Sequence, residues 1–352
     1  MTDVYAPDLC IYHGNCADGF TAAWAVYRRF EGAVQFLPGV YGRQINDDVV
    51  LGRHVLLVDF SFKKEELKRI AQIAASVTII DHHKSAAEDL KDFIVSEALM
   101  DLTPAEYAEL CHFAGRLPIR ALFDMDRSGA GMTWDFFHRD TPRMKIIDYV
   151  EDRDLWRFDQ EGSREVSAYI FAHDYRFDNW DALAGEIEID LPTVIAAGAA
   201  IEKKHHKDIG ELLRQTQREM IIGGYRVPVA NMPYTLASDA ANKMASTPRA
   251  DGTLPAFAAC YFDNNAGKRA FSLRAIDGGA DVSQIASQYG GGGHAKAAGF
   301  SADQGWEGEG DEAYDAWLKT RVAASIAELE AGKGIPGELV EAEFAKRRAG
   351  TA

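Results

Sequence analysis

Short apolar runs alternate with polar, helix-like segments through the first half of the chain. The runs LCIYH (9–13), HVLLVDF (54–60) and SVTIIDHH (76–83) are rich in β-branched or bulky apolar residues, and each ends in a polar cluster. The segments FTAAWAVYRRF and KKEELKRIAQIAA, which follow the first two runs, have the composition of helices. This repeated order predicts βαβ units and a parallel sheet. We therefore expect an N-terminal, doubly wound, mainly parallel α/β domain over residues 1–185.

The pattern changes in the second half. Residues 101–122, 129–138 and 143–151 look helical, and the polar segment 186–222 predicts a helix that connects two domains. After residue 222 short strands return as YRVPVAN, AFAACYF and AFSLRA, with the helical segments ASDAANKMA and DVSQIASQY between and after them. The expected result is a smaller mixed α/β domain over 223–302 and an acidic helical tail over 303–352.

Composition fits a soluble globular protein. The 352 residues suffice for about two domains, and 47% of them are hydrophobic. Four scattered cysteines without a CxxC pair favour a reducing compartment. The N-terminus shows no basic and apolar signal pattern, and no apolar run approaches the length of a membrane span. We expect a cytoplasmic protein without a membrane partner.

The charge balance restricts the class of partner. The chain has 38 basic and 54 acidic residues, a net charge of −16. Non-specific binding of long nucleic acid depends on Lys and Arg that neutralise phosphates, so we expect no long duplex nucleic acid as partner. A short anionic substrate stays compatible with this charge if cations are supplied to the site.

Candidate metal ligands stand where the predicted strands end. His13, Asp59 and the triplet Asp81-His82-His83 each close a strand, and ligands of open α/β sheets bind at the carboxyl ends of strands. A lone histidine at a strand end more often has a structural role, but metal-type side chains at three strand ends together are not explained by core packing. Carboxylate and imidazole ligands suit Mn²⁺, and two ions about 3.5–4 Å apart would hold a phosphoryl group.

A glycine-rich segment supplies a second candidate site. Four glycines, which include Gly292 and Gly293, precede His294 in GGGGHAKAAGF. Glycines let the backbone approach a ligand closely and expose its N–H groups, although a flexible linker has the same composition. Arg274, on a predicted strand, would bind a phosphate or carboxylate through two hydrogen bonds; a surface arginine is the alternative.

These motifs together resemble the DHH/DHHA1 phosphoesterases. The Asp81-His82-His83 triplet carries the first part of the resemblance, and GGGGHAKAAGF, about 210 residues later, carries the second. The resemblance covers about residues 8–302 and leaves out the acidic tail. Members of this type, the RecJ-like and nanoRNase-like proteins, use two Mn²⁺ ions to hydrolyse phosphodiester or phosphomonoester bonds.

The resemblance implies a set of metal ligands. One ion would be held by His13 and the first acidic position of the opening motif, and the other by Asp18 and His82, with Asp59 bridging both. Asp152, in EDRDLW, matches the fourth motif best, and Asp148 and Asp154 are the competing registers. The implied ligands are His13, Cys16, Asp18, Asp59, His82 and Asp152.

The resemblance also implies residues for catalysis and substrate binding. His83, with Asp81 beside it, would orient or stabilise the phosphate. Arg274 and His294 would hold the terminal phosphate or sugar of the substrate, next to Gly292 and Gly293. Ser128, ahead of a predicted helix, would add backbone donors at a helix N-terminus.

One position departs from the family pattern. The opening motif usually has two acids, as in DxD, but here Cys16 occupies the first acidic position. A thiolate is softer than a carboxylate and prefers zinc or iron over Mn²⁺; the carbonyl oxygen of Asn15 is an alternative ligand. We expect two divalent ions, Mn²⁺ first, with Mg²⁺, Zn²⁺ and Fe²⁺ as open alternatives.

The sequence thus predicts a phosphodiesterase that hydrolyses short oligonucleotides, or cyclic or linear dinucleotides, to mononucleotides with a metal-activated water. A RecJ-type single-strand exonuclease and a pAp or nucleotide phosphatase are the alternatives within the same class. A non-catalytic nucleotide-binding protein is the alternative from another class. A homodimer stays open.

Overall fold

The N-terminal part of the chain forms a five-stranded parallel sheet. The computed structural model describes residues 6–14, 16–310, 320 and 323, so the predicted tail over 303–352 lies mostly outside the described residues. The strand order is β2-β1-β3-β4-β5, and all neighbours are parallel. The strands are β1 (Leu9–His13), β2 (Gln35–Gly39), β3 (His54–Val58), β4 (Ser76–Asp81) and β5 (Ile119–Phe123).

Helices cover both faces of this sheet. Alternate residues of β1 point to opposite faces: Leu9 and Ile11 pack with Leu67 on one side, and Cys10 packs with Ala22 and Val26 on the other. The helices of this part are α1 (Ala17–Phe30), α2 (Asp47–Val50), α3 (Lys64–Ala71), α4 (Lys84–Asp89), α5 (Glu97–Met100), α6 (Pro104–Phe113), α7 (Gly129–Phe137), α8 (Lys145–Asp154), α9 (Ser163–Phe171), α10 (Phe177–Ile189) and α11 (Leu191–Thr216). The predicted α/β class with a mainly parallel sheet is confirmed.

A second, mixed sheet follows the long helix α11. Its strand order is β10-β11-β9-β8-β7-β6, and only β7 and β8 are parallel neighbours. Two helices pack against the sheet. The elements are β6 (Arg218–Ile222), β7 (Tyr225–Asn231), α12 (Ala237–Ala245), β8 (Ala258–Asp263), β9 (Lys268–Arg274), α13 (Val282–Gln288), β10 (Gly292–Gly293) and β11 (Ala297–Asp303). This is the predicted smaller α/β domain.

Two predicted segments differ from the structure. The helix expected over 101–122 is wrong beyond Phe113, where α6 ends and strand β5 follows Pro118, since a residue before proline disfavours the helical conformation. The connecting helix expected over 186–222 is α11 alone. It begins after Asp190, whose side chain accepts a hydrogen bond from the Thr193 amide, and β6 already belongs to the second sheet. None of the helices in the described ranges is long and apolar enough to span a membrane.

Candidate metal centre

Three strand ends meet at one edge of the parallel sheet. His13 ends β1, Asp59 follows β3 directly, and His82 follows β4. The strand order reverses between β1 and β3, which is where open α/β sheets bind ligands. His82 Nε2 lies 3.0 Å from Asp59 Oδ1, and His13 Nδ1 lies 3.6 Å from Asp59 Oδ2. The sheet topology therefore brings these predicted ligands together.

Asp59 is the central residue of this cluster. It is 1% exposed and has a φ of 52°, a conformation that aspartate adopts more readily than most residues. Its amide donates to the Ile80 carbonyl at 2.9 Å, which fixes the turn after β3. Burial raises the pKa of Asp59, but the imidazoles of His13 and His82 outweigh this effect and hold the pKa well below its usual range. Asp59 is therefore an ionised carboxylate between two imidazoles.

Asp18 is held by the first turn of α7. Its two carboxylate oxygens accept hydrogen bonds from the Gly129 amide at 2.7 Å and the Ala130 amide at 3.0 Å. Burial, followed by the charges of Asp59 and Asp154, raises the pKa of Asp18 well above its usual range. The neighbouring carboxylates of Asp18, Asp59 and Asp154 repel one another, so bound cations would stabilise them.

Cys16 caps the N-terminus of α1. Its Sγ accepts a hydrogen bond from the Gly19 amide at 3.2 Å, as an N-cap oxygen usually does. The same sulfur lies 3.1 Å from His13 Nδ1 and 3.2 Å from Asp59 Oδ2. The structure thus brings Cys16 together with His13 and Asp59. The alternative, Asn15, lies outside the described residues.

Asp81 lies beneath the site and orients His83. The buried Asp81 Oδ1 accepts hydrogen bonds from the amides of His82 at 2.7 Å and His83 at 3.2 Å. It also lies 2.7 Å from His83 Nδ1, which leaves Nε2 as the free nitrogen of that ring. Burial lowers the pKa of His83, but the charge of Asp81 outweighs it and raises that pKa. Asp81 therefore fixes the orientation of the His83 ring.

Of the three acids considered for the fourth motif, Asp154 lies nearest the other candidate ligands. Asp154 Oδ2 lies 3.6 Å from His82 Nε2. The Asp152 carboxylate instead accepts hydrogen bonds from the amides of Asp159 at 2.9 Å and Gln160 at 3.1 Å, which fixes the loop after α8. Asp148, the other competing register, lies 3.6 Å from Arg143. The structure therefore groups Asp154, one of the competing registers, with Asp18 and His82, and a ligand role for Asp152 or Asp154 stays a prediction.

His294 approaches the site from the second domain. Its ring centre lies 4.6 Å from that of His82 and 4.7 Å from that of His83, and the His83 pair is stacked. Burial and the neighbouring imidazoles of His83 and His82 lower the pKa of His294 to about 3. A neutral imidazole of the second domain, which has one donor and one acceptor nitrogen, therefore contacts the candidate ligands.

Arg274 lies on β9 without an acidic partner. Its guanidinium donates to Ser272 Oγ at 3.1 Å, to the Leu273 carbonyl at 2.8 Å and to Ser238 Oγ at 2.6 Å. None of the carboxylates in the described part of the chain forms an ion pair with it. Burial and the charge of Arg153 lower the pKa of Arg274 to about 10. A buried cation with only neutral partners has unused capacity for an anion.

Gly292 and Gly293 contact the first domain. The Gly293 amide donates to Ser85 Oγ at 3.0 Å, and a Cβ on Gly292 would lie 2.7 Å from the same oxygen. Lys84, next to Ser85 on α4, forms an ion pair with Asp281 at 2.7 Å. The close backbone approach that we predicted for a ligand is therefore made, at these two glycines, to helix α4.

Ser128 does not face the site as predicted. It is fully buried, and its hydroxyl accepts a hydrogen bond from the Gly131 amide at 3.1 Å as the N-cap of α7. The next two amides of that helix, at Gly129 and Ala130, are occupied by Asp18. The donors expected for a substrate therefore hold a candidate metal ligand instead.

Sequence reasoning missed Tyr41. Its side chain is 49% exposed, and its ring centre lies 5.3 Å from that of His13 and 6.2 Å from that of His83. The available signal was its position two residues beyond the end of β2, at the same edge of the sheet as the other strand tips. Tyr41 places an aromatic surface beside the candidate ligands.

The side chains at this edge fit divalent cations. Asp59 Oδ1 is buried and accepts no aligned hydrogen bond within the described residues, although His82 Nε2 is 3.0 Å away. Carboxylate, imidazole and thiol groups are the donors that such ions use. Four groups have their ligand atoms within 4.8 Å of one another: His13 with Cys16 and Asp59, Asp18 with His82 and Asp154, Asp59 with Asp81 and His83, and His82 with His83 and His294.

Comparison with known proteins identifies the second domain and the fold. Residues 225–320 match the family model of the DHHA1 domain. A solved DHH-domain protein, described as a member of a family of ribosomal proteins, superposes with a TM-score of 0.55 at 13% identity, covering 89% of this chain and 85% of that one.

Two further relatives are more distant or carry no functional description. An uncharacterised protein of Acanthamoeba polyphaga mimivirus is 24% identical over 312 residues, which is 84% of this chain and 67% of the viral protein. A manganese-bound exonuclease RecJ is 15% identical and covers 92% of this chain and 90% of its own. Its TM-score is 0.40, which is too low for this likeness to support a conclusion about function.

Proposed function

Because the chain carries a DHHA1 domain behind a domain with the DHH fold, we propose that it is a metal-dependent phosphoesterase of the DHH/DHHA1 family. We propose short oligonucleotides or dinucleotides as its substrates and mononucleotides as its products. One observation carries the proposal: carboxylates and imidazoles from three strand ends and α8 converge around Asp59, and His294 lies on the other side of His82 and His83.

The residues of the site divide into ligands and substrate contacts. Asp59 is grouped with His13 and Cys16, and its other oxygen lies 3.0 Å from His82, which is grouped with Asp18 and Asp154, so Asp59 would contribute to both metal positions. Divalent ions at such sites polarise phosphoryl oxygens and activate water for attack on phosphorus. In this proposal the bound divalent ions supply the positive charge at the reacting phosphate, and no other cation is needed there.

Three side chains would hold the substrate around the reacting phosphate. Asp81 fixes the His83 ring, so His83 Nε2 is positioned to contact a phosphoryl or leaving-group oxygen. His294 stays neutral at physiological pH and would donate one N–H without adding charge. Arg274 would bind a terminal phosphate through its guanidinium, since no described carboxylate competes for it.

Contacts between the domains favour a short substrate. Ser85 and Lys84 contact the second domain beside His83, and Arg153 of α8 forms an ion pair with Asp239 of α12 at 3.1 Å. Cross-domain contacts therefore lie on both flanks of the site, and we propose that the substrate ends between them. The net charge of −16 also disfavours the binding of a long polyanion.

The experiment is a product assay with the full-length chain and Mn²⁺. The panel consists of RNAs of two to five nucleotides, cyclic dinucleotides, pAp and a long single-stranded DNA. We expect mononucleotides from the shortest RNAs and no turnover by Asp59→Asn, because no other described residue lies between both metal groups. Faster release from long DNA would favour a RecJ-type exonuclease, and turnover of pAp alone a phosphatase. Metal-loaded protein that binds nucleotides without turnover would overturn the catalytic proposal.

A further inference from the structure

We propose that His13, Cys16 and Asp59 form a mixed sulfur, nitrogen and oxygen position that selects a thiophilic divalent ion such as Zn²⁺ or Fe²⁺. The proposal rests on the metal dependence in the proposed function, but not on turnover or on the substrate. It makes the two metal positions chemically different: one contains a thiol, and the other, with Asp18, His82 and Asp154, contains only oxygen and nitrogen ligands.

The spacing of the three ligand atoms suits one small ion. Cys16 Sγ lies 3.1 Å from His13 Nδ1 and 3.2 Å from Asp59 Oδ2, and the last two atoms are 3.6 Å apart. Tetrahedral bonds of about 2.3 Å to sulfur and about 2.0–2.2 Å to nitrogen and oxygen separate the ligand atoms by about 3.4–3.6 Å. The observed triangle is within about half an ångström of this size.

The backbone holds each of these ligands in place. Cys16 is the N-cap of α1, so its position is fixed by the start of that helix and by the hydrogen bond from the Gly19 amide. His13 is the last residue of β1, and Asp59 is fixed by the turn after β3. Because the backbone already fixes these three residues, the Cys16 sulfur can bind an ion without rearrangement of the main chain.

An independent observation points to a cation here. The carboxylate of Asp59 is buried, and its Oδ1 accepts no aligned hydrogen bond from the described residues. A buried carboxylate oxygen without a donor is costly unless an ion binds it. The sulfur is therefore not an isolated cysteine, but one candidate ligand beside a buried carboxylate whose Oδ1 accepts no aligned hydrogen bond from the described residues.

The other cysteines provide internal controls. Cys10, Cys111 and Cys260 are at most 5% exposed and pack in apolar clusters or under helices. In the described part of the chain, Cys16 is the only cysteine in a group that could hold a metal ion. A spectroscopic signal from a sulfur–metal bond would therefore report on Cys16.

The experiment follows Co²⁺ binding to metal-free, full-length protein. A thiolate ligand gives Co²⁺ a near-ultraviolet charge-transfer absorption, which we expect in the wild type and in Cys260→Ser. Cys16→Asp should lose this absorption and still bind two ions, because aspartate is a favoured N-cap and supplies a carboxylate. We also expect the ratio of Zn²⁺ to Mn²⁺ affinity to fall about tenfold or more in Cys16→Asp.

Two results would overturn the proposal: wild type with bound Co²⁺ by elemental analysis but no charge-transfer absorption, or the absorption unchanged in Cys16→Asp. If circular dichroism shows that Cys16→Asp is unfolded, Cys16→Ser tests the same loss with a smaller change. None of these measurements depends on hydrolysis. A wild type with the absorption but without turnover would therefore refute the proposed function and leave this proposal standing.

Discussion

Substitution of Gly129 by alanine tests whether α7 holds the metal site together. Gly129 is the first residue of α7, and its amide donates to Asp18 Oδ2 at 2.7 Å. A Cβ at this position would lie 2.4 Å from Asp59 Cβ and 3.0 Å from both Asp59 Cα and Asp18 Oδ2. Carbon atoms in ordinary contact are about 3.5–4.0 Å apart, so α7 and the turn at Asp59 must separate by about 1 Å.

The magnitude follows from this displacement. Extra methyl groups forced into a packed interior cost about 1–3 kcal/mol of unfolding free energy, and here the atoms in the way belong to main chain and Cβ. A misplacement of about 1 Å at a catalytic group costs about 100-fold in rate. Asp59 belongs to the group of His13 and Cys16, and its Oδ1 lies 3.0 Å from His82 of the other group. Gly129→Ala should therefore lower metal affinity, turnover and stability together.

The matched control is Gly210→Ala in α11. Its Cβ would meet no atom closer than 3.8 Å, the side-chain nitrogens of Arg214 and Lys243. This variant should gain about 0.4–1 kcal/mol, since alanine reduces the freedom of the unfolded chain. Urea unfolding, calorimetric Mn²⁺ binding and dinucleotide hydrolysis measure the three effects. Gly129→Ala with wild-type metal affinity and turnover would refute the reasoning, whatever its stability.

Three further predictions separate the roles of neighbouring groups. Asp154→Asn should lower metal stoichiometry or affinity, whereas Asp152→Asn should mainly lower the unfolding free energy; elemental analysis and urea unfolding would contradict this if the effects were exchanged. Tyr41→Ala should raise KM for dinucleotides by an amount equivalent to about 1–3 kcal/mol of base stacking, and Tyr41→Phe should not. The hydrogen bond with Asp239 raises the pKa of His205. Its contribution is therefore full below the unfolded pKa of about 6.5 and is lost as the pH rises through the folded pKa. The stability deficit of His205→Gln should shrink from pH 5 to pH 9, and a constant deficit would contradict the assignment.

The central strands were predictable because they are continuous apolar runs. LCIYH is β1 without change, and SVTIID is β4. The edge strands were not: β2 contains Pro38 and Gly39, and β5 contains Arg120. Arg120 is fully buried, and its guanidinium donates to the carbonyls of Leu99 and Leu102, both at 2.8 Å. A charged residue inside a strand makes the segment resemble a continuation of the helix before it, and only these tertiary contacts explain its burial.

The glycine-rich segment shows a different limit. Adjacent glycines indicate that something approaches the backbone closely, but not whether it is a ligand or another part of the chain. At Gly292 and Gly293 the neighbour is Ser85, which lies 208 positions before Gly293 in the sequence. Ser128 has the same ambiguity, since a serine before a helix marks an N-cap whether or not a substrate binds there. At these positions residue type predicted the local backbone geometry, but which group contacts that backbone depended on the fold.

Helical geometry explains why the sequence did not decide between the acids of the fourth motif. Successive residues of an α-helix are rotated by about 100°, so Asp152 and Asp154 point in directions about 160° apart, and only one can face the strand ends. Asp148 precedes Asp152 by one turn and shares its general direction. Asp154 is the last residue of α8, beside His82, whereas Asp152 accepts the amides of the following loop. The sequence EDRDLW offers an acid to either side of the helix. The choice depends on how α8 is rotated against the neighbouring helices, which its buried residues Ile146, Ile147 and Val150 determine through the core.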